Sequence, residues 1–254
     1  MIDIHCHLLP GVDDGPATED ESLALARACV ADGIRHVVAT PHVFPGRFHN
    51  DRHSIAAASE AFAARLAEHG IPLGLSYGGE VRFSVELLDL LHEDRIPFLG
   101  ECAGLRTMLL ELPDALMPVG APSLARHLVT LGVLPVLVHP ERNKAIMEKP
   151  ERAARLVDAG CCLQITAASI VGQFGPRVLA ATDFLLREGW VSAVASDAHN
   201  LKGRPPRMRE ASAALTERFG ARLAQELCVS GPARLCGRRL AVGQAAALTP
   251  SVPG

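Results

Sequence analysis

The stretch "MIDIHCHLLPGVDDG" (residues 1–15) joins a short apolar run to two histidines one residue apart and then to a pair of aspartates. On a strand, side chains at i and i+2 point the same way, so His5 and His7 share a face on which both can chelate one ion, and Cys6 points away. Alone the pair is a weak signal. Eleven histidines in 254 residues make one such spacing unremarkable, and two hydrogen-bonded histidines at a strand end are the plainer reading. Its meaning depends on what the rest of the chain brings beside it.

Six further apolar runs follow "MIDIH" (1–5): "IRHVVATPH" (34–42), "GLSYGGE" (74–80), "RTMLLEL" (106–112), "VLPVLVHP" (133–140), "CCLQITA" (161–167) and "VSAVASDAH" (191–199). Several are rich in Val, Ile and Leu on both faces, as buried parallel strands are. Helical stretches lie between them. Thr18 and Glu21 form a capping box ahead of a helix that stops at Gly33, while the segments 122–132 and 150–160 each open on Pro and close on Gly. Repeated β-then-α units of this number predict an α/β fold, and closure removes exposed sheet edges, so the expectation is a distorted TIM-like barrel of about seven strands. One domain is expected over residues 1–240, with 241–254 as a poorly ordered tail.

The charged and imidazole side chains collect at the C-terminal ends of these runs. His5 and His7 close the first, His42 the second, Glu80 the third, Glu111 the fourth, His139 the fifth, and Asp197 and His199 the seventh. A parallel barrel puts all those ends on one rim, where such folds carry their chemistry. Carboxylates grouped there repel unless cations neutralise them, which implies more than one divalent metal. Imidazole and carboxylate without thiolate suit Mn, Fe, Zn or Co. Arg142 and Arg204 follow ligand-bearing runs closely, and a guanidinium fork beside metal ions matches a phosphoryl group.

A net charge of -3 without blocks of like charge excludes a nucleic-acid or membrane-surface footprint. No apolar stretch is long enough to span a bilayer and the N-terminus lacks a signal-peptide pattern, so a cytoplasmic location is expected. Seven cysteines without CxxC pairs argue against a disulfide framework or a zinc ribbon.

The motifs "DIHCHLLPGVDDGP", "VVATPH", "GGEVR", "LLELP", "HPERN", "QITAASIVGQFG" and "ASDAHNLKGRPP", in this order, resemble the polymerase-and-histidinol-phosphatase (PHP) superfamily. The resemblance is strongest to its bacterial manganese-dependent protein-tyrosine phosphatases of capsule and exopolysaccharide synthesis and covers roughly residues 1–207. It implies a (β/α)7 barrel with three divalent metals, Mn before Fe, Zn or Co. His5, His7, Glu80 and Asp197 would hold the first, a bridging Glu80 with Glu111 and His139 the second, and Asp14, His42 and His199 the third. Arg142 and Arg204 fall where this branch binds phosphate, and Asp13 has no role beyond a turn or cap. Where members of the branch often have a second His after "TPH", this chain has Val43, and residues 43–50 are expected to shape the substrate mouth differently.

The expected chemistry is hydrolysis of a phosphotyrosine protein by a hydroxide held between two metals, with Asp14 or metal assisting departure of the phenol. The expected partner is an autophosphorylating tyrosine kinase of polysaccharide export, and the alternative activity is histidinol phosphatase or another small-molecule phosphatase. A cysteine phosphatase is the rival mechanism, because Cys-x5-Arg occurs at 29–35 and 228–234. Chance alone supplies roughly 0.6 such matches. Cys29 and Cys228 are also expected to follow helical sequence, rather than the strand that a thiolate loop needs.

Overall fold

The computed structural model describes residues 1–237, so the expectation for the tail at 241–254 lies outside the described residues. Among the described residues there are ten strands: β1 (Ile2–Cys6), β2 (His36–Ala39), β3 (His42–Val43), β4 (Gly74–Tyr77), β5 (Glu80–Arg82), β6 (Gly100–Cys102), β7 (Leu105–Glu111), β8 (Val133–Val138), β9 (Cys162–Thr166) and β10 (Val191–Ala195). They fill seven parallel positions. Thr40 and Pro41 interrupt the second expected run and Gly78 and Gly79 the third, yet the register is continuous: Ala39 pairs with Tyr77 and His42 with Glu80. The Gly78 N–H donates to Ala39 O (2.9 Å) and the Glu80 N–H to Pro41 O (3.1 Å) across the gap. Both glycines are needed for close approach, since a Cβ on Gly78 would stand 2.5 Å from Leu99 Cδ2 and one on Gly79 2.4 Å from Pro97 Cγ.

The order is therefore β1, β2/β3, β4/β5, β7, β8, β9, β10, with β6 added antiparallel to β7. The last joint is a single parallel bridge between Cys6 and Ala198. There the Asp197 N–H donates to His5 O (2.8 Å) and the His7 N–H to Ala198 O (2.9 Å). The distortion of the barrel is this seam, because regular β10 ends at Ala195 before β1 reaches it.

Alternate strand residues sort into two apolar layers. Ile2, Ile4, Val38, Leu109, Val136, Val138, Ala193 and Ala195 form one cluster, joined by Leu235 and Cys236 from the helix Gly231–Cys236. Residues of opposite parity, such as Met108, Leu110, Leu137 and Val194, pack with Leu25, Leu128 and Leu185 of surrounding helices. The first cluster lines the ring's interior, and its parity, continued along β7 and β10, aims Glu111 and Asp197 inward.

On β1 the parity is broken usefully. Asp3 pairs with Val37 and Cys6 with Ala39, so β1 carries one extra residue between the two pairs. This bulge lets Ile4 and His5 both serve the interior and keeps His7 inward, with Cys6 in the outer layer.

The helix Glu19–Ala31 begins on the expected capping box, Thr18 Oγ1 accepting from the Glu21 N–H (3.3 Å) and Glu21 Oε2 from the Thr18 N–H (3.3 Å). The helix Ala121–Thr130 likewise stops ahead of Gly132, at φ +74°. The segment 150–160 departs from expectation: it is a 3-10 turn, Pro150–Ala153, and one helical turn, Ala154–Val157. The β8–β9 crossover divides its few residues among four short turns. Among the described residues no helix is long and apolar enough to cross a membrane.

Candidate metal centre

Strand ends deliver the side chains, and two of them do so under backbone strain. His139 after β8 and Asp197 after β10 adopt left-handed conformations, φ +36° and +51°. A non-glycine residue in this region is costly unless its surroundings over-determine it. Here the His139 N–H donates to Gln164 O (2.7 Å) and the Asp197 N–H to His5 O (2.8 Å).

Four donor atoms meet inside the rim. His5 Nε2 and His7 Nε2 are 3.3 Å apart, each 3.3–3.4 Å from Glu80 Oε2, and each 3.4 Å from Asp197 Oδ1. All four residues are buried, and Asp197 Oδ1 has no hydrogen-bond partner among the described residues. Donor atoms 3.3–3.4 Å apart are spaced as ligands about 2 Å from one shared ion are, the usual length of a metal–nitrogen or metal–oxygen bond. Two imidazole nitrogens facing each other beside two carboxylate oxygens are stable only around positive charge, so the set fits a divalent cation.

Two further groupings share members with this one. Asp14 Oδ1 lies 3.3 Å from both His42 Nε2 and His199 Nε2, and His7 completes the set. Glu80 turns its other oxygen to His139 Nε2 (2.7 Å), while Glu80 Oε2 is 2.9 Å from His42 Nδ1, which is 3.9 Å from Glu111 Oε2. All nine expected ligands thus converge, with Glu80 at the middle. The grouping differs from expectation in three respects: His7 also faces the Asp14 set, His42 stands between that set and Glu111, and His139 groups with His5 and Asp197 rather than with Glu111.

What aims the imidazoles was only partly legible in the sequence. His5 Nδ1 bonds Gln164 Oε1 (2.8 Å), His7 Nδ1 bonds Asp13 Oδ2 (2.7 Å) and His199 Nδ1 donates to the Asp197 carbonyl (3.0 Å). An acceptor at Nδ1 fixes the proton there and leaves the Nε2 lone pair toward the cluster. Gln164 was missed, although it lies in the quoted "QITAASIVGQFG". The bland reading of Asp13 needs correction: it does cap the turn through the Gly15 N–H (2.9 Å), but it also orients His7 and accepts from the His42 N–H (3.0 Å). Asp13→Asn is expected to weaken metal binding by about 10–100-fold while leaving all nine ligands in place, measurable by competition with a chelating dye.

The charge balance follows from burial and neighbours. Burial opposes a charge on His42, but Glu80 and Asp14 raise its pKa to about 10. Burial, with Glu80 beside it, lifts Glu111 to about 7. Burial acts against Asp197 as well, yet His5, Arg142 and Arg204 hold it well below the usual carboxylate range. Both arginines donate to Asp197 Oδ2, and Arg204 Nη1 is 3.0 Å from His199 Nε2. They border a cleft of about 360 Å3 that Arg47 and Arg82 also line. Arg82, unassigned in the sequence reading, contacts Glu111 Oε2 (2.9 Å). In "HPERN" the remaining polar residues are structural: buried Glu141 accepts from the Thr166 N–H (2.8 Å) and Ser169 Oγ (2.7 Å), and Asn143 donates to Pro113 O (2.8 Å) and Leu116 O (3.0 Å).

The cysteine rival has no geometry. Cys29 is buried within the helix Glu19–Ala31, and Cys228 lies in the π-helical segment Glu226–Ser230 with burial pushing its thiol up to about 11. Neither follows a strand, and the raised Cys228 thiol is the opposite of a nucleophilic one.

Comparison with known proteins agrees with this site. The family model described as capsular polysaccharide synthesis, CpsB/CapC, matches residues 1–236. The tyrosine-protein phosphatase YwqE of Bacillus subtilis is 37% identical over 223 residues, 88% of this chain and 87% of that one. The tyrosine-protein phosphatase CpsB of Streptococcus pneumoniae is 31% identical over 240 residues, 92% and 98% of the two chains. A crystal structure from a study of YwqE and CpsB, described as unique metal-dependent tyrosine phosphatases, superposes with a TM-score of 0.86 at 36% identity, covering 92% of this chain and 94% of that one. With a match of this extent and a rim of nine converging donors, the chain belongs to the CpsB/CapC family of capsular polysaccharide synthesis.

Proposed function

We propose that this protein is a metal-dependent protein-tyrosine phosphatase that hydrolyses phosphotyrosine in a protein of capsule or exopolysaccharide synthesis. The observation that carries this reading is the close approach of His5, His7, Glu80 and Asp197 beside Arg142 and Arg204. Three divalent cations, Mn before Fe, Zn or Co, are assigned: one to that cage, one to Glu80, Glu111 and His139, and one to Asp14, His42 and His199. When bound, they supply Lewis acidity toward phosphoryl oxygens and a nucleophile available at neutral pH.

The chain's own residues account for binding and orientation. Arg142 and Arg204 share Asp197 Oδ2, which positions both guanidinium groups on one side of the cage, ready to receive the non-bridging oxygens as charge develops. Arg142 is braced by Phe174, its guanidinium 5.0 Å from the ring centroid. The neighbouring His199 and His42 imidazoles hold Asp14 far below the usual carboxylate range. Asp14 is therefore an acceptor and a ligand rather than a proton store. A phenolate, with a pKa of about 10, leaves with little protonation.

The family's description in capsular polysaccharide synthesis supports an autophosphorylating tyrosine kinase of polysaccharide export as the partner. A cytoplasmic location is proposed with it, in keeping with seven cysteines that lack a disulfide pattern. The test is an assay of the Mn-loaded protein on a phosphotyrosine peptide and on histidinol phosphate. Preferential turnover of the peptide is expected; preference for the alkyl phosphate would establish the small-molecule alternative.

A further inference from the structure

Among the described residues lining the cleft, Phe44 is the one phenyl side chain, and it sits on an unusually constrained turn. Residues 44–48 close on themselves: the Phe48 N–H donates to Phe44 O (2.8 Å), the Arg47 N–H to the same carbonyl (3.0 Å), and the Phe44 N–H to Phe48 O (3.2 Å). Gly46 takes φ +83°, the left-handed conformation that this reversal requires. Asn50 Nδ2 clamps the base of the turn by donating to Val12 O and His42 O, both at 2.9 Å.

Each aromatic ring of the turn is held separately. Phe48 stacks on His42, centroids 5.3 Å apart and planes 7° from parallel, with the Arg47 guanidinium 4.9 Å from its centroid. Phe44 has the Arg82 guanidinium 4.9 Å from its ring centroid, and Arg82 is in turn anchored on Glu111. The mouth of the cleft therefore presents a half-buried phenyl ring and two guanidinium groups on a pre-formed turn, adjacent to the proposed metal ligands His42 and Glu111.

We infer that Phe44, with Arg82 over its ring, is the wall that recognises the aromatic leaving group, and so determines preference for aryl over alkyl phosphomonoesters. The inference rests on the phosphotyrosine reading and deepens it. An aryl phosphate whose phosphoryl group lies by Arg142 and Arg204 extends its ring toward the mouth, where an aromatic edge or face and a cationic plane favour a π-system over a chain of methylenes. Arg47, exposed at the tip of the turn, lies where residues flanking the phosphotyrosine pass.

The test compares kcat/KM for a phosphotyrosine peptide, phenyl phosphate and glycerol 2-phosphate on Mn-loaded wild type and on the variants Phe44→Leu, Phe44→Trp and Arg47→Ala. Phe44→Leu keeps an apolar side chain of similar bulk, so the turn remains packed, and the aryl-to-alkyl ratio is expected to fall about tenfold. Phe44→Trp is expected to restore it. Arg47→Ala is expected to lower kcat/KM for the peptide several-fold more than for phenyl phosphate. An unchanged aryl-to-alkyl ratio in Phe44→Leu, in a wild type that prefers aryl substrates, overturns the inference and leaves the phosphatase reading standing. A wild type that does not turn over aryl phosphates overturns the phosphatase reading itself.

Discussion

Asp197→Asn is expected to lose activity by about a thousandfold or more on a phosphotyrosine peptide, with the chain still folded. One carboxylate serves two pairs of neighbours: Oδ1 stands 3.4 Å from both His5 Nε2 and His7 Nε2, while Oδ2 takes Arg142 and Arg204. The amide retains the shape but removes the charge on which both sets converge, and it places N–H donors where lone pairs are needed. Metal content by elemental analysis should fall together with turnover, and circular dichroism should remain that of the wild type. Activity within tenfold of wild type would remove Asp197 from the centre.

Stripping the metal is the second large effect. Chelator-treated protein should show no measurable turnover, Mn should restore it, and replacement of Cys29 and Cys228 by serine should leave that pattern intact. Metal uptake should also release protons, because the cation needs nitrogen lone pairs that are protonated in its absence. In the metal-free site Glu80 and Asp14 raise His42 to about 10 against the effect of burial, so at pH 7 it carries a proton that binding must expel. The sign is fixed by this: affinity should tighten as pH rises toward about 10 and weaken as it falls. Titration calorimetry of Mn into stripped protein, in two buffers of different ionisation enthalpy, should show about one proton or more released per protein at pH 7. No proton release would sink His42 as a ligand.

The cage also explains why the fold tolerates so much unfavourable electrostatics in one place. Glu80, Asp197 and two histidines are each buried, an arrangement that costs several kcal/mol per ion unless compensated. In the metal-free protein the compensation comes from Arg142, Arg204 and protons on the imidazoles. These are the same charges that a cation displaces or a phosphoryl group recruits. The site is therefore held in a form prepared for both.

Much of this was readable from local pattern. Parity alone put His5 and His7 on one face and Cys6 on the other, and runs ending in His, Glu or Asp marked the rim, because strand periodicity and the common direction of parallel strands are properties of short stretches. The capping box at Thr18 and Glu21 was legible for the same reason.

Other features were decided only by the folded chain. That Gln164 on β9 holds His5 from 159 residues away and that Arg82 on β5 faces Glu111 on the adjacent β7 are consequences of register between segments far apart in sequence, while Asp13 reaches His7 because the loop between them folds back. So is the bulge that brings His5 into the interior beside Ile4, and so are the left-handed His139 and Asp197, held by partners on neighbouring segments. The sequence by itself determined which residue types could ligate and at which strand ends they lie, since period and spacing are local. The tertiary structure decided which atom of each side chain faces the cluster, because a histidine's tautomer and a carboxylate's free oxygen are set by hydrogen bonds that exist only after the seven strands have come together.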